Sequence, residues 1–182
     1  MSPKEPGLAA IEAISSDLKK QYDSPEDAEW RNHPLEWIRG QASARIGKIG
    51  RLLVQGLCER VGLQAVAVGY SLRIAKKTIQ VRFSMGWSGG GFKFEQLRNE
   101  SYAAVFCLGI TPSRAFAWVI PKGVIFKADG TILRKDGLTP QHKGKGGSDT
   151  AWINVDVQSI PPWMDQCGGS VAEAISSLKT VL

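Results

Sequence analysis

Residues 73–120 read RIAKKTIQVRFSMGWSGGGFKFEQLRNESYAAVFCLGITPSRAFAWVI, and this stretch decides the fold. Its segment TIQVRFS, residues 78–84, alternates apolar and polar side chains and therefore predicts a strand. The polar face of this strand carries an amide, a guanidinium and a hydroxyl in a row, from Gln80, Arg82 and Ser84. We expect that face to be exposed.

The neighbouring segments predict a sheet around this strand. Residues 64–74 alternate well enough for a second strand, joined to the first by a turn at Lys76-Lys77. After the glycine run 89–91, the apolar residues at 92, 94 and 97 favour a short helix that carries Glu95, Gln96 and Arg98. Residues 103–110 are continuously apolar, which indicates a strand buried on both faces, and residues 114–120 predict its neighbour.

Helices are predicted on either side of these strands. Residues 41–61 place an apolar stripe at helical spacing and hold the basic residues Arg45, Lys48 and Arg51 away from it. Residues 7–22 and 170–182 show the same amphipathic pattern. The sequence thus predicts an α/β protein in which helices flank a central mixed sheet, with a helical extension over residues 1–33 and one domain over residues 34–182.

The composition excludes several classes of protein. No apolar run approaches the roughly 18 residues of a membrane span, and the N-terminus lacks the basic-then-apolar order of a signal peptide. The three cysteines are far apart and odd in number, so they fit neither a disulfide framework nor a zinc site. These features predict a cytoplasmic protein without a membrane partner.

Positive charge is concentrated in the middle of the chain. Residues 1–33 carry a net charge of −3 and residues 150–182 a net charge of −2, whereas residues 34–149 carry +11. A positive field of this kind favours binding to a polyanion, because neutralising phosphates releases their counterions. We therefore expect DNA as a partner, against the alternative of an ordinary solvated surface.

The polar segment 127–150 is the other candidate for nucleic-acid contact. It is long, and it is rich in glycine and lysine, as functional or mobile loops often are. We expect Lys143 and Lys145 to clamp a phosphate backbone that neighbouring glycines allow to approach closely. Gln141 and His142 precede them and are further candidates for phosphate contact, although a loop histidine can equally well bond only to its own backbone.

The order of these segments resembles a known superfamily. The helix SARIGKIGRLLVQGLCERVG, a hairpin ending in TIQVRFS, and then FKFEQLRNESYAAVFCLGITP and AFAWVIPK are similar to the restriction-endonuclease-like (PD-(D/E)XK) nucleases. Within them, the chain resembles small bacterial proteins with an FxxQxR…YD…CLGI segment and a later QH…G…G.DT.W motif. The resemblance covers about residues 41–170 and implies a restriction-endonuclease-like three-layer sandwich.

The resemblance also implies where catalysis would occur. The family uses an Asp on the hairpin and a Glu-x-Lys on the next strand, whose carboxylates hold Mg²⁺. On this sequence the Asp position falls near Ser71, and the Glu-x-Lys position is Gln80-Val81-Arg82. Because no carboxylate stands at any of these places, we expect no conventional metal site and no cofactor.

Three functions remain open from the sequence. The first is a pseudonuclease that binds DNA through Arg45, Lys48, Arg51, Gln80, Arg82, Ser84, Gln96, Arg98, Gln141, His142, Lys143 and Lys145. It would act as a subunit of a bacterial defence, restriction or DNA-processing complex, as a homodimer or beside an active partner. The second is an active Mg²⁺-dependent endonuclease that uses displaced acids, with Glu95 as the first candidate and Asp149 as the second. The third is a protein-interaction subunit with little DNA contact.

Overall fold

The computed structural model describes residues 15, 25–142 and 149–182. The helix predicted over residues 7–22 lies outside them except for residue 15, and Lys143 and Lys145 lie outside them entirely. The helices are α1 (Pro25–Trp30), α2 (Glu36–Arg39), α3 (Ser43–Arg60), α4 (Lys122–Ile125), α5 (Pro162–Asp165) and α6 (Val171–Val181). The strands are β1 (Ala65–Val68), β2 (Ser71–Ile74), β3 (Lys77–Met85), β4 (Gly91–Leu97), β5 (Ala104–Ile110), β6 (Ala115–Pro121), β7 (Leu138–Gln141) and β8 (Thr150–Asp156).

The strands form two sheets. Sheet A has five strands in the order β1-β2-β3-β5-β6, and sheet B has three in the order β4-β8-β7. In sheet A, β3 and β5 are parallel and the other neighbours are antiparallel, so the predicted mixed sheet is confirmed. Sheet B is antiparallel throughout.

Two apolar cores lie on the two faces of sheet A. On one face, α3 and α6 pack against the sheet through residues such as Val54, Cys58 and Leu178. On the other face, sheet B packs against β5 and β6, and Phe94 meets Trp118 in an aromatic cluster. In the described residues the third layer is thus a second sheet, where the sequence had predicted helices. None of the helices in this part of the chain has the length and apolar character needed to cross a membrane.

Helix α3 confirms the prediction for residues 41–61 and packs unusually close to β3. An added Cβ at Gly50 would lie 2.2 Å from the Cβ of Phe83, so the absence of a side chain lets the helix approach the strand. Gly47 and Gly56 have nothing within 4 Å of the same position. Close packing therefore explains one of the three helix glycines and does not explain the other two.

Two local predictions are wrong. Residues 92–97 form strand β4 and not a helix, so Glu95 and Gln96 lie on a strand. The strand is irregular between Phe94 and Leu97, where its register shifts and Gln96 adopts φ 57°. Residues 64–74 form two strands, β1 and β2, because the chain turns at Gly69, whose φ is 56°.

Candidate nucleic-acid interface

Sheet A brings together the three positions that the resemblance singled out. Ser71 on β2 lies directly opposite Gln80 on β3. Arg82 follows two residues later on the same strand. Opposed residues and residues two apart share one face of a sheet, so all three side chains lie on the same face. This face is the one that also meets sheet B.

The expected exposure of this face is wrong for Gln80. Its side chain is only 3% exposed, and in the described part of the chain its Oε1 has no hydrogen-bond partner. Arg82 and Ser84 are half-buried. The reason is that β4, the edge strand of sheet B, lies over this half of β3, which the alternation of the sequence cannot indicate.

The guanidinium of Arg82 donates hydrogen bonds to backbone carbonyl oxygens. Its Nε donates to the carbonyl oxygen of Glu95 at 2.9 Å, and its Nη2 donates to that of Gln96 at 2.8 Å. Its Nη1 donates to the carbonyl oxygen of Val81 at 3.0 Å. Burial lowers the pKa of the Arg82 guanidinium from its usual value, but an arginine remains charged in proteins. Arg82 is thus a fixed cation at the junction of the two sheets.

Ser84 extends the same junction along β4. Its Oγ accepts a hydrogen bond from the backbone N–H of Lys93 at 3.2 Å. Together with Arg82, it supplies partners to the edge of β4 that does not pair with β8. The row predicted to face DNA therefore serves in large part to join sheet B to sheet A.

Beyond this junction, in the described part of the chain, the same face of sheet A carries exposed side chains. Val66 and Val68 of β1 are 62% and 41% exposed, and they share a face with Arg73 and Ser71, their partners on β2. We call this face of β1 and β2, together with the adjoining Gln80-Arg82 junction, the corner surface. Strand β4 lies along one side of it. Basic side chains border the corner surface, with Arg73 and the turn residues Lys76 and Lys77 all exposed.

A cleft of about 700 Å³ continues from the end of β4. It brings Arg98 together with Arg134, His142 and Asp149. His142 Nδ1 lies 2.9 Å from Asp149 Oδ2, so the acid orients the imidazole. Asp129 and Glu100 also line the cleft, which therefore carries both signs of charge. Gln141, at the end of β7, is exposed beside it.

Mg²⁺ does not fit the donors at this junction. Ser71 offers a hydroxyl, Gln80 a buried neutral amide and Arg82 a positive charge, whereas Mg²⁺ is held in proteins chiefly by carboxylates. The carboxylate of Glu95 lies 3.5 Å from Lys93 Nζ and forms an ion pair with it. Across the described ranges, no group of three or more His, Cys, Asp or Glu residues is placed to hold a metal ion.

Comparison of the chain with protein-family models, with curated proteins and with solved structures finds no match. The architecture is a mixed α/β fold with a five-stranded sheet.

The basic residues of α3 do not join the corner surface. Arg45 and Lys48 are exposed and Arg51 is half-buried, but α3 packs on the opposite face of sheet A. Sequence analysis missed Arg73, Lys76, Lys77 and Arg134 as candidates. The polar-apolar alternation of residues 71–74 would have placed Arg73 beside Ser71, whereas nothing in the sequence brings Arg134 next to Arg98.

Proposed function

We propose that this protein binds DNA on the corner surface and in the adjoining cleft, and that it is a pseudonuclease. Its role would be to hold a nucleic-acid backbone where a related nuclease would cut one. In keeping with the resemblance, it would act as a subunit of a bacterial defence, restriction or DNA-processing complex.

The fixed cation at Arg82 carries this proposal. The three aligned positions do converge on one face, which supports carrying the family's site over to them. A guanidinium held by three backbone carbonyls does not release a proton, and its positive charge does not ligate a divalent cation. In a nuclease, a metal ion supplies positive charge to the phosphate. In this protein the guanidinium of Arg82, held by its hydrogen bonds to the backbone, supplies that charge instead.

The surrounding charges support the binding of a polyanion. Arg73, Lys76 and Lys77 border the corner surface. The cleft adds Arg98 and Arg134 but is also lined by acids, so the support comes mainly from the corner surface. Side chains of this kind fix the register of a phosphate backbone without reading its sequence. We therefore expect binding with little sequence preference and a strong dependence on salt.

The decisive experiment compares two charge-matched variants of the full chain. Arg73→Gln with Lys76→Gln removes two cations from the corner surface, and Arg45→Gln with Lys48→Gln removes two from α3. Duplex binding is measured by fluorescence anisotropy over a range of salt concentrations. The first pair should reduce the magnitude of the negative slope of log K against log salt by about 1.8, since each phosphate contact contributes about 0.9. The second pair should leave the slope unchanged.

Two results would overturn the proposal. One is an equal loss for both pairs, which would place the interface elsewhere. The other is an absence of binding to duplex and single-stranded DNA alike by the wild-type chain, which would favour a protein-interaction subunit. Incubation of plasmid with Mg²⁺ or Mn²⁺ tests the active-nuclease alternative, since cleavage that disappears in Glu95→Ala would establish a displaced acid.

A further inference from the structure

The edge strands of the two sheets differ in what bonds to their free side. The β6 edge of sheet A is closed by residues 167–169, since Val119 N–H donates to the carbonyl oxygen of Cys167 and Gly169 N–H donates to that of Ala117, both at 2.8 Å. In sheet B, the β4 edge is bonded by side chains of β3, and β7 contains Pro140, which weakens an edge as a template. Strand β1, at the other edge of sheet A, pairs in the described part of the chain with β2 alone.

This open edge is also apolar. Val66 and Val68 are 62% and 41% exposed, and Tyr70 in the following turn is 80% exposed. Residues 61–72 contain no charged side chain, although residues 34–149 as a whole carry a net charge of +11. An uncharged strand edge with unpaired backbone groups suits the backbone of another strand.

We propose that β1 pairs antiparallel with β1 of a second copy of this chain. The local sequence Val66-Ala67-Val68 reads the same in both directions, as a two-fold interface requires. A register centred on Ala67 places Val66 opposite Val68 of the second copy, and Val68 opposite Val66. Because the segment is uncharged, two copies that each carry a net charge of +6 meet there without opposing like charges.

The pairing joins the two copies of sheet A into one sheet of ten strands. The two-fold axis of such an antiparallel pair is perpendicular to the sheet, so the same face of each copy points in the same direction. Both corner surfaces then lie on the same side of the joined sheet. The two β4 strands face each other across the combined surface, which we call the shared floor. From β3 to β3 this floor spans five strand spacings of about 4.8 Å, or roughly 24 Å, which is comparable with the width of a DNA duplex.

The proposed dimer depends on the edge strand alone, whereas binding of DNA across the shared floor rests on the proposed function. A four-residue strand buries little area, so the free protein should form a weak, concentration-dependent dimer with a dissociation constant in the micromolar range or above. A duplex that contacts both copies would make dissociation slower by effective concentration.

Sedimentation equilibrium of the full chain without DNA tests the pairing, from low to high micromolar concentration. The wild-type chain should pass from monomer to dimer. Val66→Lys places a charge on the edge and should weaken dimerisation at least tenfold. Leu52→Lys is the matched control, because Leu52 is 50% exposed and lies on α3, outside the edge strand. The dimerisation of this variant should equal that of the wild type.

Circular dichroism of each variant confirms that it is folded, and Val68→Lys gives a second test on the same strand. A wild-type chain that remains monomeric throughout would overturn the pairing, including the case in which a segment of the same chain covers β1. A dimer that both lysine variants at the edge leave intact would also overturn it. Loss of DNA binding by the corner variants has no effect on this measurement, so failure of the dimer and failure of the proposed function are distinguishable.

Discussion

The Nε of Arg82 donates to the backbone carbonyl oxygen of Glu95 at 2.9 Å, and this bond joins sheet A to sheet B at the bulge in β4. The bulge turns the carbonyl groups of Glu95 and Gln96 toward one guanidinium, which bonds both. A strand edge with unpaired carbonyls would otherwise be costly in a partly buried place. Arg82, the residue that the resemblance aligns with a lysine, therefore bonds the two sheets to each other.

Arg82→Ala should lower the free energy of unfolding by about 2–4 kcal/mol, because it leaves several partly buried carbonyl groups without donors. Arg82→Lys should recover only part of this loss, since an ammonium cannot span three acceptors that a planar guanidinium reaches. Urea denaturation measures both variants. Arg73→Ala on the exposed part of the same sheet is the control and should change stability by less than about 0.5 kcal/mol. Equal stability of all three variants would show that the junction does not depend on Arg82.

Gly50→Ala should destabilise the protein by roughly 1–3 kcal/mol, because its new Cβ would lie 2.2 Å from the Cβ of Phe83 and would force α3 away from β3. Gly47→Ala and Gly56→Ala are matched controls on the same helix, and both have open space at that position. They should stabilise the protein by up to about 1 kcal/mol through helix propensity. Thermal unfolding of the three variants gives the comparison, and a stabilising Gly50→Ala would contradict the observed helix–strand contact.

The regular elements could be predicted from the sequence, whereas the junction could not. Residues 41–61 and 78–84 each follow one period over their whole length, and residues 103–110 are continuously apolar. Each of the three forms the predicted helix or strand. In β4 the alternation of Phe92 and Phe94 breaks at the bulge before Leu97, so the segment looked helical. Gln80 and Arg82 looked exposed because alternation separates two faces without showing which one a distant strand covers.

Stability should fall as the pH rises above about 8.5, the ordinary thiol value. Burial raises the pKa of Cys58 to about 11, with a further contribution from Glu59. Burial likewise raises the pKa values of Cys107 and Cys167. The folded chain thus holds these thiol protons more tightly than the unfolded chain, and stability is full below the unfolded pKa.

Urea midpoints measured between about pH 7 and pH 10 test this dependence. The fully buried Cys107 alone can contribute a slope of up to about 1.4 kcal/mol per pH unit. Cys107→Ala should make the protein less stable at neutral pH and should reduce the loss at alkaline pH. A stability that stays level or increases over this range would show that the thiols are not protected by burial.

The resemblance implies a metal site at Ser71 and Gln80, and carboxylates placed at both positions should bind Mg²⁺. Ser71 and Gln80 are direct partners across β2 and β3, so Ser71→Asp with Gln80→Glu would place two carboxylates side by side. Facing carboxylates of this kind are the ligands that Mg²⁺ prefers. Millimolar Mg²⁺ should then stabilise the double variant, by about 1.4 kcal/mol when the metal is at ten times its dissociation constant. The wild-type chain and each single variant should show little or no shift in thermal unfolding. A double variant that folds but does not respond to Mg²⁺ or Mn²⁺ would mean that these positions are not the family's ligand positions, even if the basic corner surface binds DNA.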